Sequence, residues 1–439
     1  MSVSKKIDVG SGSACHSGLN IFTVPPTNVS VNKSVIREIL PVNTIDESPY
    51  EFRVFSDNQW IDLSKTYLYL ELALQKRTGN NWVPLVAADV DVAPVQALGQ
   101  SFIRQLKVHI NGTEVYDSTN LYPYLSYIKN ELTYSKDVKS SLLASTGYYN
   151  EDQHDNAADS GYVKRCATMA NSQVCEYISL LDFDLANQSQ YLLNNLNLHF
   201  TIYKSDDSFM IQKLSATDNN VYRVNLLSIK MYVKTIEVQN SLNLNVLTML
   251  EKQSAKYPLR KTEIRSCFLS AGRTQITYNA FSNIVPRRLL VTFVSNEAFN
   301  GSFRLSPFNF KPFDLRELTV NAGGINYPTQ PYNMNFTGDR LSYMRAFVDM
   351  HNSSVPTENM TNGITIDKFL SGWTFFVIPL SSTLEDCGGF ELIKNGTTTV
   401  SALFNTAIPN PGVTMLIIGE FDQLLSIDYN RVIMSDGSV

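Results

Sequence analysis

The chain has 439 residues, of which 44% are hydrophobic, 11% aromatic and 18% charged. This suits a packed globular protein of two or three domains at ~150–200 residues each, and the many Tyr and Phe with little charge lean towards β structure. The net charge is −5, and Lys and Arg are densest only at Lys5-Lys6, Arg260-Lys261 and Arg287-Arg288, which argues against direct nucleic-acid binding.

Residues 1–35 read as a flexible arm, rich in Gly, Ser, Asn and Pro, with Gly10-Ser11-Gly12-Ser13 and Pro25-Pro26 as its marks. Strand patterns follow. Tyr50 to Phe55 alternates, and Thr66 to Leu74 puts Tyr67, Tyr69, Glu71 and Ala73 on one face and Leu68, Leu70, Leu72 and Leu74 on the other. Gln105 to Ile110, Asn111-Gly112 and Thr113 to Tyr116 read as a hairpin, since Asn-Gly supplies the two positive φ angles of a type I′ turn. Leu121 to Leu143 has helical spacing, with Pro123 in a first turn. Tyr148 to Ser172 is polar and acidic and reads as a long exposed loop. Strands return at Val174 to Leu180, Leu196 to Tyr203 and Tyr222 to Val238, closing a unit of residues 36–239. Residues 240–260 read as a connector helix with Leu244, Leu247, Leu250 and Glu251 inward, stopped by Tyr257-Pro258.

The last unit, residues 261–439, centres on Arg287 to Asp314. Leu289 to Val294 is a short apolar strand, and Asn300-Gly301 is a turn. Ser306 to Phe313 then packs three aromatics and two prolines into eight residues. Proline excludes a helix or a central strand there. Phe299, Phe303, Phe308, Phe310 and Phe313 therefore belong to an extended loop, either in a domain core or across a subunit contact. The second half also repeats the first in order. Arg104 to Gly112 matches Arg316 to Gly324, Tyr122-Pro123 matches Tyr327-Pro328, Leu125-Ser126-Tyr127 matches Leu341-Ser342-Tyr343, Tyr177-Ile178 matches Phe375-Phe376, and Ile236 matches Ile427. Short strands with Gly, Asn and Pro turns, eight to a half, predict an all-β fold of two tandem eight-stranded jelly rolls with short helical insertions.

No motif predicts an enzyme, a cofactor or a metal. The five cysteines (Cys15, Cys166, Cys175, Cys267 and Cys387) are widely spaced without a CxxC pair, so reduced thiols are expected. His16, His109, His154, His199 and His351 show no ligand spacing. Asp89/Asp91 and Asp182/Asp184 could offer paired carboxylates, but acids in such turns usually cap or are solvated. Arg287-Arg288 could bind an anion, or make a strand-edge or intersubunit salt bridge. The amino terminus has no signal-peptide core and no run reaches the ~18 apolar residues of a membrane span.

Tyr257-Pro258-Leu259-Arg260, Ala298 to Ser302, Pro307-Phe308-Asn309-Phe310 and Phe313-Asp314 resemble the hexon-like major capsid protein of adintoviruses and Polinton/Maverick elements. The resemblance is densest from Tyr257 to Phe336 and runs on through Gly372 to Phe376 and Gly419 to Asp422. It implies a double jelly roll, a homotrimeric pseudo-hexagonal capsomer, neighbouring capsomers with penton and minor capsid proteins as partners, and a place in the virion of an icosahedral double-stranded DNA virus. The competing expectation is a jelly-roll carbohydrate- or receptor-binding protein. Against it, Trp60, Trp82 and Trp373 fall in different elements.

Overall fold

The computed structural model describes the chain except residues 1–5, 13, 23, 215–219, 338, 355–360, 382–383, 385–388 and 437–439. Cys387 and Gly388 thus lie outside the described residues. Strands β1 (Val31–Ile39), β2 (Tyr50–Phe55), β3 (Trp60–Thr78), β4 (Ile103–Ile110), β5 (Thr113–Asp117), β6 (Cys175–Leu180), β7 (Asn197–Lys204) and β8 (Tyr222–Val238) form two antiparallel sheets. One runs β1-β8-β3-β6, the other β2-β7-β4-β5.

The second half builds β9 (Ala255–Leu269), β10 (Gln275–Phe281), β11 (Arg288–Ser295), β12 (Leu315–Ala322), β13 (Ile325–Tyr327), β14 (Phe376–Pro379), β15 (Thr398–Phe404) and β16 (Val413–Ile427). Its sheets run β9-β16-β11-β14 and β10-β15-β12-β13, the same order again. The fold is a double jelly roll. The β4–β5 turn carries φ of 50° at Asn111 and 84° at Gly112, as Asn-Gly allows. The β12–β13 turn is its counterpart at Gly323-Gly324. Tyr122-Pro123 and Tyr327-Pro328 are not equivalent, since the first opens a helix and the second ends β13.

Two expected boundaries move. Strand β1 begins at Val31, inside the segment read as arm, because it pairs with β8 from Val238 back to Met231. The connector is helix α3 (Asn240–Leu250), and Tyr257-Pro258 already lies in β9. β9 is a sheet edge, where a proline costs no ladder hydrogen bond. Of the helix stripe, Leu250 is buried, Leu247 partly so, and Leu244 is exposed.

Each roll buries its core between its sheets. In roll 1, Leu68, Leu70, Leu72 and Leu74 point inward against Phe52, Val108 and Phe200. In roll 2, Phe293 meets Phe404 of the opposite sheet at 5.5 Å. The β3 and β11 strands differ in one respect. β3 alternates, while Leu289, Leu290, Val291, Phe293 and Val294 are all buried. Strands covered on both faces read as continuous apolar runs. The cover on the outer face of β11 is helix α1 (Tyr122–Thr133), inserted between β5 and β6 of roll 1. Its Leu125, Ile128 and Leu132 lie over Leu290, Val377 and Ile418.

Candidate functional site

The aromatic loop sits on the seam between the two rolls. It leaves β11 through a helical turn at Asn296–Phe299 and is pinned by backbone bonds. Phe310 N–H donates to the Gly372 carbonyl at 2.9 Å, Thr374 N–H to the Phe310 carbonyl at 3.1 Å, and Lys311 N–H to the Phe293 carbonyl at 3.1 Å. Phe308 and Phe310 are fully buried; Phe299, Phe303 and Phe313 are half-buried. Their partners belong largely to roll 1. Phe308 stacks on Tyr127 and meets Tyr124 and Phe209 edge-on. Phe299 stacks on Tyr124, and Phe303 meets Tyr222 edge-on. Phe313 packs at the margin with a φ of 47°. The cluster therefore joins two rolls of one chain, where sequence reasoning weighed a single-domain core against an intersubunit contact.

The acidic stretch is not the exposed loop expected from its composition. It holds helix α2 (Ser160–Thr168), and Tyr148, Glu151, His154, Asp159, Tyr162 and Arg165 are buried. Asp159 caps the helix, accepting from Gly161 N–H at 2.8 Å and, through its other oxygen, from Asp152 N–H at 3.0 Å and Gln153 N–H at 3.1 Å. Arg165 donates to the Glu151 carboxylate, the Pro94 carbonyl and Gln212 Oε1. Burial alone would raise the Glu151 carboxyl, but the Arg165 and His154 beside it outweigh that and hold it at about 2. A buried ion is tolerated only when so compensated.

Two side chains of this stretch reach the aromatic loop's surroundings. The His154 ring stacks on Trp373 of roll 2 at 3.9 Å. The Asp155 carboxylate accepts from Ser306 N–H at 2.5 Å and from Asn309 Nδ2 at 2.6 Å. A second buried pair lies nearby. Lys139 Nζ donates to Glu131 at 2.6 Å and to the Asn362 carbonyl of roll 2 at 2.8 Å, while Tyr148 Oη donates to Glu131 at 2.7 Å. Burial pushes Glu131 up, and Lys139 with Tyr148 brings it below the ordinary carboxylate range. No single-residue signal marks this network. The only hint is that one stretch mixes Tyr, Glu, His and Arg in a chain with 18% charge.

The other candidates are engaged in structural contacts. Asp89 pairs with Lys76 at 2.7 Å, and Asp182 with Lys129 at 2.6 Å. Asp184 is buried between the rolls and accepts from Thr262 N–H at 3.2 Å. Burial raises it to about 7, against the pull of Lys129 and with a push from Asp182. Arg287 and Arg288 both bind Glu420, at 3.1 and 2.6 Å, so their ion pairs close within the sheet rather than across a subunit boundary. His109 and His199 are cross-strand neighbours at 6.1 Å, beside Glu114 and Glu51. His16 accepts from Gly18 N–H and His351 lies against the Ile364 carbonyl. Among the described residues no three His, Cys, Asp or Glu side chains gather as a metal site, no helix is long and apolar enough to cross a membrane, and Cys15, Cys166, Cys175 and Cys267 are free thiols.

The chain is 30% identical over 394 residues to the uncharacterized protein F54H12.2 of Caenorhabditis elegans, covering 88% of this chain and 92% of that one. No protein-family profile matches it. Among solved structures, a chain of the Sputnik virophage superposes with a TM-score of 0.63 at 13% identity, over 99% of this chain and 95% of that one. The mavirus major capsid protein superposes with a TM-score of 0.57 at 12% identity, over 99% and 97%. The Faustovirus major capsid protein gives 0.51 at 11% identity, over 93% and 92%. At these identities the likeness establishes the shared fold.

Proposed function

The chain belongs to the family of the Caenorhabditis elegans protein F54H12.2, and we propose that it is the major capsid protein of an icosahedral double-stranded DNA virus or virus-like element. In this reading the protein is structural and not an enzyme. It forms a homotrimer whose six jelly rolls approximate a hexagon, and the trimers tile a shell with penton and minor capsid proteins. The observation that carries the reading is the coverage. Two jelly rolls of one strand order fill nearly the whole chain, and viral capsid proteins align with that arrangement end to end rather than over one roll.

The physical reason for the trimer is closure. Head-to-tail contacts between similar units generate rings when the rotation closes, and three copies of two like rolls give a ring of six. The chain divides into an arm over residues 1–35, a first roll over 36–239, a connector over 240–260 and a second roll over 261–439, with the edge strands borrowing a few residues from arm and connector. An adintovirus or Polinton origin fits a relative found in an animal, since an integrated element leaves its capsid gene in its host. The place of the protein is then the virion.

Negative-stain electron microscopy and sedimentation of the purified chain test this. Hexagonal particles three times the 49.3 kDa of one chain are expected. A monodisperse species of single-chain mass would overturn the capsomer.

A further inference from the structure

Roll 1 and roll 2 differ in what covers the outer face of the sheet that holds their longest strands. In roll 2 that face is β9-β16-β11-β14, and helix α1 of roll 1 lies on it through Leu125, Ile128 and Leu132. The matching face of roll 1, β1-β8-β3-β6, carries no α-helix of its own chain among the described residues; the short 3-10 turn Leu142–Thr146 meets β6, where Ser145 Oγ donates to the Ile178 carbonyl at 3.0 Å. Its outward rows are Tyr232–Tyr67–Leu180 and Lys230–Tyr69–Ile178. Tyr67 stacks on Tyr232 at 5.0 Å, and Ile178 and Leu180 are 39% and 43% exposed. The Tyr69 hydroxyl donates to Glu71 and Glu176 and that of Tyr232 to Glu38, so the rings with Ile178 and Leu180 make an apolar patch with a charged rim that fits a partner.

The occupant is written in the second insertion. Helix α4 (Met344–Ser354) follows β13 and precedes β14, the place in the chain order that α1 holds between β5 and β6 in roll 1. It buries Ala346, Met350 and Ser353. Leu341, just ahead of the helix, and its own Met344 and Val348 stay about half exposed, at 55%, 52% and 49%. These three repeat the spacing of Leu125, Ile128 and Leu132, three then four residues apart; Met344 and Val348 share one helix face, and Leu341 stands in the extended segment that leads into it. They also keep the alignment of Leu125-Ser126-Tyr127 with Leu341-Ser342-Tyr343. One chain therefore shows a docked helix-on-sheet pair, a half-exposed apolar stripe of the same spacing in the second roll, and an uncovered sheet face in the first.

We infer that the Leu341, Met344 and Val348 stripe of one copy docks on the Tyr67, Tyr69, Tyr232, Ile178 and Leu180 face of a second copy, repeating between chains the contact that α1 makes within one. The inference rests on the capsomer reading and assigns its subunit interface. The contact is heterologous, so each chain gives one stripe and one face.

Ile178→Glu and Val348→Glu test it, because both side chains are accessible in the single chain and the fold should tolerate the change. Parent circular dichroism and melting are the control, with Leu180→Glu and Met344→Glu as substitutes if either variant misfolds. Each variant alone should sediment as a single chain. Mixed in equal amounts, they should give dimers that do not close, since one intact stripe and one intact face remain between them. Variants that form trimers as the parent does would overturn this interface and leave the capsomer reading standing. A mixture that stays at single-chain mass would overturn the head-to-tail pairing. A parent that never exceeds single-chain mass would overturn both readings.

Discussion

The Tyr127 and Phe308 rings lie face to face, 4.1 Å apart and 6° from parallel, although one belongs to the helix inserted in roll 1 and the other to the loop after β11 in roll 2. Both are buried. The junction of the rolls is thus a packed core.

Phe308→Ala should cost about 3–5 kcal/mol, as for other buried Phe truncations. Phe313→Ala should cost far less, because Phe313 is only half-buried. Urea titration of both variants checks the order. Equal midpoints would mean that the seam relaxes around the cavity.

Asp155→Ala removes the acceptor for Ser306 N–H and Asn309 Nδ2. Hydrogen bonds to a charged group contribute about 1.5–3 kcal/mol each, so the melting temperature should drop clearly, with Asp155→Asn milder. A peptide inserted beside Asp155 should abolish folding. An insertion that leaves the protein folded and soluble would show that the stretch can leave the seam.

Glu151→Gln leaves Arg165 buried without its countercharge, which typically costs about 3–5 kcal/mol. The Glu151→Gln, Arg165→Met pair should recover part of that loss in a double-mutant cycle. Because Glu151 is held at about 2 against an ordinary 4.5, its contribution is complete above 4.5 and fades as pH falls towards 2. A cycle measured at neutral pH that shows no coupling would contradict the pairing.

Asp184 has the opposite sign. Its folded value is raised from 3.8 to about 7, so the stability it lends is full below 3.8 and lost as pH rises through about 7. Each pKa unit is worth roughly 1.4 kcal/mol. Asp184→Asn, neutral throughout, should therefore show a flatter melting profile than the parent across that window. Parallel profiles would mean that Asp184 is already ionised in mildly acidic solution.

Deleting residues 1–28 should leave the melting temperature of the protein unchanged. The described residues from Lys6 to Val29 are exposed, and the Ser30 carbonyl accepts from Gln239 N–H at 3.0 Å where β1 joins the sheet. A large drop in melting temperature would place the arm within the fold.

Features set by local chemistry were legible in the sequence. The Leu/Tyr alternation of β3 specifies a strand with one face in the core, and Asn111-Gly112 specifies the β4–β5 turn, whatever the rest of the chain does. The apolar run of Leu289, Leu290, Val291, Phe293 and Val294 signals a strand, and the repeated strand order shows as matched segments in one order. Tertiary structure decided the partners. Glu151, His154 and Arg165 have the composition of a solvated loop, and only the return of the chain past Gln212 and Trp373 turns them into a buried, neutralised cluster. Pro258 reads as a helix stop until the sheet order places it on an edge. Phe308 and Phe310 announce burial, but burial is a property of what surrounds a ring, and the Tyr124 and Tyr127 that surround them lie far away in the chain, in the other roll.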